Sequence, residues 1–175
     1  MSMKIFFLRL FFILAVVFFE FSFFDILFPQ MGAPLVLIAS IVAWVLASGF
    51  SAALFMIVPL ALLFDVLSVG MPGALTLYAV PLAYVISFLS RRLLVERRGF
   101  GMVLYAFFVG ISALGYVIFN SIFFQRGGLS EIVIRNALPG IAVWTLFIFV
   151  GAYQVIRRFE KYIGYLSQSD FLKVK

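Results

Sequence analysis

Between Asp25 and Arg91 the chain carries a single charged side chain, Asp65. A stretch of that length and apolarity folds in lipid, because an aqueous domain needs polar residues on every outward face. The rest of the chain agrees: 66% of its 175 residues are hydrophobic and 11% charged, with a mean hydropathy of +1.23. Residues 1–175 therefore read as one polytopic membrane domain.

A bilayer-spanning helix takes about 20 apolar residues, and proline, glycine and charge divide the chain into six such runs. The expected spans are 5–27, 34–47, 49–68, 73–90, 101–124 and 132–156, followed by a basic tail, 157–175. Pro29 ends the first; Pro34 suits the first turn of the second; the Ser48-Gly49 break separates the second from the third. The competing reading joins the second and third into one long broken helix. The charged start (Lys4, Arg9) and apolar middle of the first span resemble a signal peptide, but a small-residue cleavage site is missing and Glu20 stands where it should fall, so an uncleaved span is expected.

Charge sets the orientation. With six spans and the N-terminus in the cytoplasm, eleven of the thirteen Lys and Arg residues fall on the cytoplasmic side and only Arg126 and Arg135 on the other, as the positive-inside bias requires. Both termini are thus expected in the cytoplasm. The segments "RRLLVERRGF" and "RRFEKYIGYL" are expected at anionic headgroups, making membrane lipid a partner. No soluble basic surface exists for nucleic acid.

The chain contains no His and no Cys. That removes the usual ligands of zinc, copper, haem and iron-sulfur clusters, together with the commonest general base and the thiol nucleophile. No catalytic residue, metal site or cofactor is expected. An aspartyl-protease pair would need a second Asp well within a span, and Asp25, at the very end of the first span, sits in the first outer loop region.

Asp65 lies 16 residues after Gly49, which at 1.5 Å per residue is about 24 Å into a core of about 30 Å. By the same rise Asn120 lies about 28 Å from the cytoplasmic side and Glu20 about 12 Å below the end of its span. With Arg135 as counter-charge, Glu20, Asp65 and Asn120 are expected to form an outward polar layer that is structural or grips a partner or ligand. Small residues mark helix contacts: Ala39, Ala43, Ala47 and Ser51 at four-residue spacing, and Ala106 with Gly110. Pro59 and Pro81 free the carbonyls of Phe55 and Leu77, which neighbouring helices are expected to cover, with Thr76 and Ser87 as local donors.

The frame "LFPQMGAPLVLIASIVAWVLASGF" followed by "PLALLFDVLSVGMPGALTLYAVPLAY" resembles the MreD family, the small multi-span rod shape-determining proteins of bacteria. The positions that carry the resemblance are Pro34, Gly49, Asp65, Gly70, Pro72 and Gly73. Two positions depart from the pattern: Ala61 replaces a common glycine, and Pro72 and Gly73 are adjacent where a residue usually intervenes. The resemblance implies a non-catalytic scaffold of the cell-elongation machinery (elongasome) in the bacterial cytoplasmic (inner) membrane, supporting peptidoglycan synthesis and cell wall biogenesis. Its implied partners are an MreC-like single-span protein and, with it, MreB and the RodA/class B penicillin-binding protein pair.

It also implies the six-helix fold of the substrate-binding S components of energy-coupling-factor vitamin transporters, whose function is the alternative reading. Those proteins carry an Ala-x-x-x-Ala docking stripe on the first helix, whereas here Ala15 is followed by Phe19. The outer loop between the first two spans is also short for a ligand lid.

Overall fold

The computed structural model describes residues 3–24, 35–68, 73–92, 100–123 and 138–172. Pro34, Gly70, Pro72 and Arg135 of the expected sites lie outside the described residues. The described residues are all-helical: α1 (Met3–Phe19) continuing into a π-helical turn (Glu20–Phe24), α2 (Val36–Ser48), α3 (Phe50–Leu67), α4 (Ala74–Arg92), α5 (Phe100–Phe123) and α6 (Leu138–Leu172). Five stretches are long and apolar enough to cross a membrane, and α2 is a shorter apolar helix. Phe11, Phe18, Phe55, Leu77, Phe107 and Phe147 stand exposed around the outside, an apolar surface suited to lipid contact and foreign to a soluble monomer.

The short helix is the centre of the bundle. Every residue from Val36 to Leu46 is buried, and α2 packs against all five other helices. A helix that is hydrophobic on all sides belongs in such a position. Ala39 and Ala43, both fully buried, let neighbours approach closely. The four-residue stripe does not run on to Ser51, which is exposed; Gly49 turns the chain and resets the register. Its φ of 81° and ψ of 167° fall in a region open essentially to glycine, so α2 and α3 are two helices and not one broken one.

Side-chain contacts give the directions. Phe12 of α1 packs edge-on against Trp44, near the end of α2, whereas Glu20 reaches Leu37 near its start; α1 and α2 are antiparallel. Phe21 stacks on Phe64 near the end of α3, which makes α3 antiparallel to α2. Phe50 at the start of α3 meets Tyr84 late in α4. Tyr78 early in α4 meets Tyr116 and Phe119 late in α5, and Thr145 early in α6 reaches Leu35. The helices alternate in direction, with Arg9 and Glu160 paired at the end of the bundle opposite Asp65. Lys4, Arg91, Arg157, Arg158 and Lys161 belong to that same end.

Two expectations need correction. The segment after residue 156 is no separate tail: α6 continues to Leu172, 35 residues in all, or about 52 Å at 1.5 Å per residue. The inward positions Ile156 and Ile163 are both buried and Phe159 packs against the core that holds Ile156, so the helical period passes through the basic run without a break. The helical prolines are not covered either: Pro59 and Pro81 are exposed, on outer faces beside exposed Phe55 and Leu77. Ala106 and Gly110 of the expected stripe lie on the side of α5 turned towards α6. Both are buried, and a methyl group on Gly110 would lie 3.6 Å from the Ala142 carbonyl of α6.

Candidate functional site

Helix α2 has 13 residues, about 20 Å against an apolar core of about 30 Å. One of its ends therefore stops inside the low-dielectric region, where the free N–H groups of a first turn cost several kcal/mol each if left bare. Its first residues find acceptors on two other helices. The Leu37 amide donates to Glu20 Oε2 at 3.2 Å, and the Leu35 amide donates to Thr145 Oγ1 at 3.0 Å. Thr145 is fully buried and its hydroxyl donates to the Ile141 carbonyl at 2.6 Å.

Helix α4 begins by the same device. Gly73 sits at its N-cap with a φ of 94°, and its carbonyl accepts the first helical bond from Leu77 at 2.9 Å. Glycine has no side chain with which to cap. Asp65, eight positions before that N-cap, takes over: Oδ1 accepts from the Leu75 amide and Oδ2 from the Thr76 amide, both at 2.9 Å. The Thr76 hydroxyl adds a third bond to Oδ2 at 2.6 Å. A carboxylate at a helix N-terminus also meets the positive end of the helix dipole. Only 3% of Asp65 is exposed, so these three donors replace the water that the anion gives up.

Glu20 and Asp65 lie at one level of the bundle, since their chain neighbours Phe21 and Phe64 stack on each other with ring centroids 5.0 Å apart. Asn120, half-buried one turn further along α5, joins none of these hydrogen bonds. Thr76 serves Asp65 instead of a proline-freed carbonyl. Beside this layer the Tyr78 hydroxyl donates to the Ser112 carbonyl at 2.8 Å. A methyl group on Gly115 would fall 2.6 Å from that hydroxyl. Glycine is what lets α4 and α5 meet there.

The opposite end carries a second cluster, which the sequence reading does not contain. Trp44 is fully buried and its indole N–H donates to Glu160 Oε1 at 2.9 Å. Arg9 stands 3.7 Å from Glu160 Oε2, and Phe12 fills the corner between Trp44 and Phe159. A buried indole needs an acceptor, and the lone acid in "RRFEKY" was the available signal.

Chemically, the two clusters join helices. Among the described residues no group of three or more His, Cys, Asp or Glu is placed to hold a metal ion. Two grooves flank α1, and both are almost wholly apolar: one of about 710 Å³ against Leu67 of α3, one of about 350 Å³ against α2 and α6. Searches with the whole chain match no protein-family model, no curated protein and no solved structure.

Proposed function

We propose that this chain is a non-catalytic scaffold of the bacterial cell-elongation complex, acting in the cytoplasmic membrane by binding the span of an MreC-like partner. The reading rests on the resemblance of residues 28–92 to the MreD family. One observation carries it further: Asp65, the charge that interrupts those residues, is saturated by the first turn of the chain's own α4. Gly49 and Gly73, two other positions of the resemblance, adopt positive φ at helix starts. The shared pattern thus has a structural meaning, the building of two helical hairpins. Activity then resides in the outer helix faces, which suits a protein that assembles others.

Orientation follows from charge. The end bearing Lys4, Arg9, Arg91 and Arg157 faces the cytoplasm by the positive-inside bias, and the carboxylate layer faces outward. The chain has no native cysteine, so a single Gln168→Cys variant reports the side directly. Labelling by an impermeant maleimide is expected only after the cytoplasmic face is opened.

Co-purification tests the function. Recovery of an MreC-like single-span protein with the tagged chain from its native membrane is the expected result. Recovery with a stoichiometric vitamin and a transporter ATPase would overturn the proposal in favour of an S component.

A further inference from the structure

We propose that the groove between α1 and α6 is a specific site for one anionic phospholipid, with the phosphate on Arg9 and an acyl chain beside Ala15 and Ala152. Arg9 is the starting point. A guanidinium offers five donors, yet its Nε is buried with no hydrogen-bond partner. Among the described residues its anion is Glu160, which stands 3.7 Å away, beyond hydrogen-bonding distance. Glu160 is itself engaged by Trp44. The buried Nε is out of a lipid's reach, but the side chain is 20% exposed, so its terminal nitrogens keep open donors in a helix that spans the membrane, where such groups are costly and seek oxygen acceptors. Phosphate oxygens match the fork of an arginine better than any other lipid group.

Depth and shape fit the same occupant. Arg9 is six residues from the start of α1, or about 9 Å at 1.5 Å per residue, close enough for its side chain to reach the headgroup level. One turn deeper the groove opens, about 350 Å³ in volume, with Phe12, Ala15 and Val16 on one wall and Ile148, Ala152 and Val155 on the other. Ala15 and Ala152 leave the space that larger residues would fill. From Ile148 to Ile156 the groove runs about 12 Å, most of one leaflet's hydrocarbon depth of about 15 Å. Arg157, Arg158 and Lys161 stand within two turns of its mouth. This surplus of positive charge over Glu160 favours an anionic headgroup over a zwitterionic one.

The proposal is independent of the function proposed above. Its test is native mass spectrometry of the full chain released from detergent, titrated with phosphatidylglycerol, phosphatidylcholine, dioleoylglycerol and glycerol phosphate. Phosphatidylglycerol is expected to give a 1:1 adduct about tenfold tighter than phosphatidylcholine, and the two fragments, lacking phosphate or acyl chains, are expected to bind weakest. Arg9→Gln is expected to cut the preference between the two phospholipids severalfold, leaving only the part owed to Arg157, Arg158 and Lys161. Val155→Trp, on the exposed rim of the groove, is expected to weaken both about tenfold while keeping the preference, and its fold does not depend on Arg9. Equal lipid binding by the parent chain, Arg9→Gln and Val155→Trp would overturn the proposal. So would a Val155→Trp chain that loses a protein partner or a second copy of itself while binding lipid normally, since the groove would then be a helix interface.

Discussion

The two ends of the bundle solve the problem of buried charge in opposite ways. At one end Asp65 and Glu20 are met by backbone amides at the first turns of α4 and α2. At the other, Glu160 is met by the side chains of Trp44 and Arg9. Backbone donors at a helix N-terminus are fixed by the helix itself, so an anion placed there needs no cation and loses no side-chain entropy in its partner. A side-chain pair near the headgroups is looser and remains open to salt and to lipid phosphate. The carboxylate end is therefore expected to be the rigid structural joint, and the basic end the adjustable one.

The largest effect is expected from Asp65→Ala. It leaves two amides and the Thr76 hydroxyl without their acceptor beside a residue only 3% exposed, a loss on the order of 3 kcal/mol, readable as a fall in unfolding midpoint in mixed micelles. Asp65→Asn keeps one acceptor oxygen and is expected to lose roughly half as much. A similar midpoint for Asp65→Ala and the parent chain would break the contrast between the ends.

Gly115→Ala comes next, at about 1–2 kcal/mol, because its methyl group displaces the Tyr78 hydroxyl from the Ser112 carbonyl. Tyr78→Phe made in the Gly115→Ala background checks the cause, since it should add little to a bond already lost. The smallest effect belongs to the basic end. Glu160→Gln retains an oxygen for Trp44 and loses only the pair with Arg9, so a change below about 1 kcal/mol is expected. That change should shrink further as salt is raised; a salt-independent loss as large as that of Asp65→Ala would make the two ends equivalent.

The contrast between the ends also marks where sequence reading succeeds. Helix number among the described residues and the separateness of α2 and α3 follow from apolar run lengths and one glycine. The partner of Asp65 does not, because a backbone amide has no letter in the sequence. The available clue was an acid facing a helix whose N-cap is glycine and so cannot cap itself. Thr145, buried at the start of α6, gave no signal distinct from an ordinary helical threonine. Glu160 was hidden among Arg157, Arg158 and Lys161, where charge composition suggests a lipid-lying tail, while Ile156 and Ile163 carry the inward face of α6 straight through it. Arg135, the counter-charge expected for the outer layer, lies outside the described residues. Among those residues the donors to Asp65 are two amides and a hydroxyl.

The central claim is that Asp65 closes the first turn of α4 from the neighbouring helix. Residue-resolved amide exchange in micelles, comparing the parent chain with Asp65→Asn, tests it at the bonds themselves. The account predicts faster exchange at Leu75 and Thr76, with Val45 and its neighbours at the end of α2 unchanged. Unaltered protection at Leu75 and Thr76, or an equal loss at both ends of the bundle, would contradict it.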